Sequence, residues 1–157
     1  MNDIELGYLH HGIETNNIGM KLITGFAQCA ENEEVKQYFV KGKELAKKQI
    51  KEFEAILLES DVQFSSTAGS TVTTSTTAPF SQKLMMFCVY LLNSFGIVAG
   101  SFGAVFSLRN DVILKTTLFA KDVFLYANEG VKLMIKNGWL EEPPQMEDRP
   151  QLIKKGK

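Results

Sequence analysis

The sequence predicts an all-α fold, a bundle of four long helices. Four long stretches repeat apolar side chains at three- and four-residue steps, the spacing of one helix face. Capping residues and helix breakers fall at the junctions between them. The chain has 157 residues, 45% apolar and 22% charged, which suits one ordinary domain with a real core and not a disordered segment.

The first helix is predicted over 4–30. Leu6, Leu9, Ile13, Met20, Ile23 and Ala27 share one face, and Asn2 or Asp3 can cap it, with Glu5 near the first turn. Asn32 reads as a second cap, followed by Glu33 and Glu34. It opens a helix over 33–59 with the stripe Val35, Phe39, Ala46, Ile50, Phe53 and Leu57 and a solvated Lys/Glu face. Residues 65–77 are low-complexity: ten of the thirteen are Ser or Thr and none is charged. This tract reads as an extended solvated connection and not as a modification site. Pro79 and Ser81 start the third helix, over 81–108. The fourth, over 111–137, begins at Asn110 and Asp111 and closes on Lys132, Lys136 and the C′ glycine Gly138. Glu141-Glu142-Pro143-Pro144 cannot continue it. The domain therefore covers 1–146, and 147–157 forms a tail whose basic end, Lys154 to Lys157, is expected to fray.

Connection lengths select a topology. A helix of about 27 residues is roughly 40 Å long at about 1.5 Å per residue. The segment before the third helix has about 20 residues and could span roughly 66 Å when extended. It can run back along the bundle. Short, long, short is the connection pattern of ferritin-like bundles, with a long Ser/Thr-rich crossover between helices two and three. A long hairpin loop in an up-down-up-down bundle is the competing topology.

The third helix is unusual. From Leu84 to Phe106 it carries no charged residue, long enough to pass the length rule for a membrane span. Asn93, Ser94 and Ser101 interrupt the run, and the partner helices have Lys/Glu faces that suit water, so burial inside a soluble assembly is the preferred reading. A monomeric bundle leaves one face of each helix wet, and this helix has no wet face. Gly96, Gly100 and Gly103 would let a second backbone approach, so a homodimer or larger homo-oligomer is expected.

Little chemistry is legible. A di-iron centre needs Glu from two helices and Glu-x-x-His from the other two. The third helix holds no Asp, Glu or His, and helices two and four hold no His. Asn16 or Asn17, Gln49, Asn93 and Asp122 fall near the middles of their helices and read as a buried polar layer that fixes register, mutually bonded and metal-free. His10 and Glu14, four residues apart, share a helix face near which Asp111 could approach. Such a pair near a helix start reads as solvated. No metal or other cofactor is expected. The two cysteines, Cys29 and Cys88, form no spaced set and read as small buried thiols. Phe95-Gly96 and Phe102-Gly103, with Phe106, read as aromatics over small residues and not as a cofactor slot. A net charge of -1 offers nucleic acid no basic field. The polar opening carries no recognisable signal peptide.

Four motifs carry a resemblance: Glu5-Leu6-Gly7-Tyr8-Leu9, Glu44-Leu45-Ala46-Lys47-Lys48-Gln49, Ser107-Leu108-Arg109-Asn110-Asp111, and Lys136-Asn137-Gly138-Trp139-Leu140 with its Glu-Glu-Pro-Pro ending. Over residues 4–146 the chain resembles an uncharacterised family of spore-forming Gram-positive bacteria, related to the ferritin-like domains of spore coat protein F. The resemblance implies a ferritin-like bundle and no established activity. Members often carry two such domains in tandem, whereas this chain carries one and can pair with itself. Members often have His where this chain has Gln49, which weakens any metal role.

The reading that results is a non-enzymatic structural or interaction protein, cytoplasmic or associated with the spore coat, partnered by itself or by other coat proteins. The alternatives are a metal-binding ferritin-like protein or oxidase, and a helical bundle that binds a small ligand.

Overall fold

In the computed structural model, which describes residues 1–64, 71–140, 144 and 146–155, helix α1 (Asp3–Cys29) starts from a closed capping box. Asn2 Oδ1 accepts from Glu5 N at 2.8 Å, and Glu5 Oε2 accepts from Asn2 N at 2.8 Å. Asn2, and not Asp3, is therefore the cap. Helix α2 (Glu33–Leu58) starts on Asn32, whose side chain accepts from Glu34 N and Val35 N, as the sequence predicts. It stops where Asp61 takes the left-handed place at φ 56°.

Helix α3 (Gln82–Phe106) is capped by Ser81, whose Oγ accepts from Leu84 N at 3.2 Å. It ends two residues short of the expected 108. The cause is Glu5: its Oε1 accepts from Leu108 N at 2.8 Å and Arg109 N at 2.9 Å, so both donors point to α1 and not along α3. Helix α4 (Asn110–Lys136) lacks the expected cap. Arg109 occupies the N-cap position without a side-chain cap bond, and Asn110 is already helical. The C-terminus of α4 matches its sequence signal. Gly138 has φ 65°, Trp139 N donates to Met134 O at 2.8 Å and Gly138 N to Ile135 O at 3.0 Å. Those bonds form a Schellman motif. The tail holds a short helix, α5 (Arg149–Lys155), where the sequence suggests fraying. Residues 65–70 of the Ser/Thr tract, Glu141 to Pro143 of the acidic-proline ending, Gln145, and Gly156 and Lys157 of the basic end lie outside the described residues.

The chain ends fix the topology. Asn32 N donates to Gln82 Oε1 at 3.1 Å, so α3 starts beside the α1–α2 turn. Cys29 Sγ reaches Thr77 O at 3.4 Å, which ties the approach to α3 onto the end of α1. Glu5 holds the end of α3 at the start of α1. Lys136 Nζ meets Glu34 Oε1 at 2.7 Å, so α4 returns to the start of α2. Helix α3 is therefore parallel to α2 and antiparallel to α1 and α4, and the segment between α2 and α3 crosses the length of the bundle. An up-down-up-down bundle would set the start of α3 beside the end of α2.

The core lies in two halves. One packs Phe26, Val35, Phe39, Met85, Met86 and Met134. The other packs Leu9, Ile13, Phe53, Ile56, Val112 and Phe119. Between them small residues line a gap, among them Ala46, Gly100 and Ala120, while the Phe53 and Tyr126 rings lie over Gly12 and Gly42 at its edge.

Candidate functional site

The gap between the core halves is a cavity of about 490 Å³. Its floor comes from α2 and α4, where Ala46, Gln49, Phe53, Thr116, Phe119 and Tyr126 are all buried. The lining residues that reach solvent belong to α1 and α3: His11 and Thr15 on one side, Phe95, Gly96, Val98 and Phe102 on the other. The mouth therefore opens between α1 and α3, which touch little along that stretch. Among the described residues no Asp, Glu, Lys, Arg or Cys lines it, and the titratable side chains that do are Tyr8, His11 and Tyr126.

Polar groups enter this apolar chamber at few points. Gln49 is 5% exposed and its Nε2 has no hydrogen-bond partner. A buried donor left unmade costs about 1–3 kcal/mol. Asn93 Nδ2 donates to Tyr38 Oη at 3.3 Å, and Asn16 Nδ2 donates to Gly12 O at 2.8 Å within its own helix. Thr116 Oγ1 donates to Val112 O at 2.8 Å.

The expected polar layer is thus only partly assembled. Asn16, Gln49 and Asn93 line one cavity, and Asn17 does not line it. Asn16 and Asn93 bond to other groups rather than to Gln49. Asp122 stands apart on the outer α2–α4 seam, where Lys48 Nζ lies 3.1 Å from its Oδ2. That seam is a row of cross-helix ion pairs, Lys41–Glu129, Lys48–Asp122, Lys115–Glu52 and Lys136–Glu34. A position near the middle of a helix does not settle which face it lies on, and for Asp122 the face is wet.

The end group also disperses. The His10 ring stacks at a tilt on Phe64, with centroids 5.2 Å apart. Asp111 Oδ2 is held by Arg109 Nη2 at 2.6 Å, and this hydrogen bond keeps the carboxyl below its usual pKa. Among the described residues no group of three or more His, Cys, Asp and Glu is placed to hold a metal ion.

The three glycines of α3 do not form one outer face. Gly103 is buried, and a Cβ there would meet Tyr8 Cδ1 at 3.4 Å. Gly100 faces Ala120 across the α3–α4 seam. Only Gly96 is open. The outer face of α3 is lined instead by Leu84, Phe87, Leu91, Phe95, Val98 and Phe102, followed by Val105, at three- and four-residue steps. Phe95 is 70% exposed and Val105 76%.

Two functional elements escape sequence reasoning. The first is the Glu5 joint. This side chain is 1% exposed and accepts three backbone N–H groups, from Asn2, Leu108 and Arg109. Those bonds, that of Asn2 foremost, hold its pKa below the usual carboxylate value. Arg109 completes the joint by donating to Ser60 Oγ at 2.7 Å. The second is a tyrosine pair at the edge of the cavity floor. Tyr38 of α2 and Tyr126 of α4 stack with centroids 4.3 Å apart, and Tyr126 Oη donates to Tyr38 O at 3.1 Å. Burial pushes the Tyr38 phenol up to about 12 and raises that of Tyr126 as well. The repeated Tyr-x-x-x-Gly spacing, Tyr38 to Gly42 and Tyr126 to Gly130, is the signal that could have pointed to it.

Comparison with known proteins follows from this geometry. A family model described as "Protein of unknown function (DUF3231)" matches residues 1–152. No curated protein matches. A solved structure from Bacillus halodurans C-125, described provisionally as a spore coat protein, is similar in fold, with a TM-score of 0.87 and 20% identity. The match covers 94% of this chain and 96% of that one.

Proposed function

We propose that this chain, which belongs to the DUF3231 family of unknown function, is a non-enzymatic structural or interaction protein of the ferritin-like class that works by pairing its α3 face with a second copy. The observation that carries this reading is the exposed apolar stripe from Leu84 to Val105. Its three- and four-residue steps are those of a helix that packs along another helix. The opposite side of the bundle, the α2–α4 seam, is laced with ion pairs and suits water. Apolar patches of this extent mark interaction sites, and a self-complementary face favours a two-fold pair.

The cavity supports the non-enzymatic part of the reading. Among the described residues the wall carries no carboxylate, lysine or cysteine, so it offers no anionic ligand set for a metal, and its hydroxyls on Thr15, Ser107 and Thr116 are spent on backbone carbonyls of their own helices. Association with the spore coat rests on the sequence resemblance and on the description of the Bacillus halodurans structure, whose fold this chain shares.

Sedimentation equilibrium at micromolar concentration tests the pairing. A dimer or larger species is expected, with Phe95→Asp/Val105→Asp shifting it to monomer. A wild-type monomer overturns the proposal, and so does partition of the wild type into lipid vesicles, which would make α3 a membrane element.

A further inference from the structure

We infer that the mid-bundle cavity is a binding site for an uncharged, largely apolar small molecule that carries one hydrogen-bond acceptor, seated against Gln49. The inference does not require the α3 pairing, although Phe95, Val98 and Phe102 belong both to that stripe and to the cavity mouth, so a paired copy would cover the entrance. Three observations carry it.

The first is size and lining. A chamber of about 490 Å³ falls within the range of small-molecule sites. Left empty, it would forfeit packing along the whole facing surface of four helices. An apolar wall does not recruit ordered water, because each water needs several polar partners. The two tightly packed core halves at either end keep the chamber from collapsing.

The second is the orphan donor. Among the described buried side chains, Gln49 Nε2 alone lacks a partner. Gln49 lies on the floor of the chamber, opposite the mouth. The neighbouring amides are already committed: Asn93 donates to Tyr38 and Asn16 to its own helix. A ketone, ester or amide oxygen reaching the floor would supply the missing acceptor after a turn of the Gln49 amide.

The third is charge. With no Lys or Arg in the wall, a carboxylate would enter without a counter-ion, and with no Asp or Glu an ammonium would fare equally badly. Selection is therefore for a neutral head. The mouth between α1 and α3 supplies the path, flanked by the polar His11 and Thr15 on one side and by Phe95 and Phe102 on the other.

The test uses the whole chain and the uncharged fluorophore N-phenyl-1-naphthylamine, displaced by ligands of one chain length: decan-2-one, decanoate, decylammonium and decane. Saturable uptake of about one fluorophore per chain is expected, with decan-2-one displacing it best. Gln49→Leu should weaken decan-2-one about five- to tenfold and leave decane unchanged, because the lost term is one hydrogen bond. Ala120→Phe, which fills the chamber from α4, should abolish uptake, with circular dichroism confirming that the variant is folded. Absence of saturable uptake overturns the inference. So does equal displacement by ketone and ions, or a ketone preference that persists undiminished in Gln49→Leu. Uptake that survives Ala120→Phe and vanishes in Leu91→Asp/Val105→Asp, two exposed positions outside the cavity lining, would place the fluorophore on the outer face and also overturn it.

Discussion

Tyr38 and Tyr126 lock α2 to α4 reciprocally: each ring stacks on the other, and each hydroxyl lies over the glycine one turn further along the opposite helix. Tyr126 covers Gly42, and Tyr38 covers Gly130. A Cβ on either glycine would collide with the facing hydroxyl, and the ring behind it is buried and cannot swing away.

The sign of a helix glycine substitution should therefore invert. In an open helix Gly→Ala stabilises by about 0.5–1 kcal/mol. Gly42→Ala and Gly130→Ala should each destabilise, by about 1–3 kcal/mol. Urea unfolding checks this, and a double-mutant cycle with Tyr126→Leu should return much of the Gly42→Ala loss. Additive effects would show that the collision is not the cause.

The same pair predicts an alkaline limb. Tyr38 has a folded pKa of about 12 against an ordinary 10.0, and Tyr126 is raised in the same direction by its burial. Below about pH 10 both phenols are protonated, folded or unfolded, and their contribution is fully present. As pH rises from about 10 through 12, the unfolded chain loses its protons first and stability falls. Thermal melts from pH 8 to 12 should show this slope, and Tyr38→Phe should flatten it.

Glu5 should produce an acid limb of opposite sign. Its folded pKa lies below the ordinary 4.5, so its contribution is present above that value and is lost as pH falls through the folded one. Glu5→Gln should cost about 1–3 kcal/mol at neutral pH, since an amide replaces one acceptor oxygen with a donor facing backbone N–H groups. Melting curves between pH 3 and 7 should also lose part of their acid slope in this variant. An unchanged melting temperature at pH 7 would sink the joint as a stabilising element.

Protein purified without a histidine tag should carry well under one iron or manganese per chain. The middle of the bundle offers amides and hydroxyls, and Asp122, its nearest expected carboxylate, is engaged by Lys48 on the outside. Stoichiometric metal that survives dialysis and disappears in Gln49→Leu would move the protein to the metal-binding class.

The α3 glycines should differ among themselves. Gly96→Leu should leave stability near that of the wild type, because open space surrounds its Cβ direction. Gly103→Leu should destabilise by about 1–3 kcal/mol, because Tyr8 occupies the space beside it. Equal melting temperatures would contradict these placements.

Helix boundaries were legible at most local signals, the start of α4 excepted, where Asn110 is already helical and Asp111 is engaged by Arg109. Asn32, Ser81 and Gly138 cap their helices through bonds within a few residues, and such bonds follow from the sequence alone. The crossover was legible only as the favoured of two topologies, because length permits a chain to run back along the bundle without requiring it; contacts such as Asn32 to Gln82 decided it. The end of α3 was not, since the group that terminates it, Glu5, is more than a hundred residues away. The opening motif and the Ser107-to-Asp111 turn look separate in sequence and are the two halves of that one joint.

By itself, the sequence determined four helices, the caps Asn32, Ser81 and Gly138, a connection long enough for a crossover and the uncharged character of α3, because periodicity, capping chemistry and chain length are properties of neighbours along the chain. Tertiary structure decided which groups share a space. It moved Asp122 out to Lys48, left Gln49 unpaired, buried Gly103 under Tyr8 and opened the cavity between two core halves. Helix rotation about its own axis sets those outcomes. A turn of about 100° per residue separates adjacent side chains, so a small rotation, fixed by contacts such as the Tyr38–Tyr126 lock, decides whether a mid-helix polar residue meets water, a partner or an empty chamber.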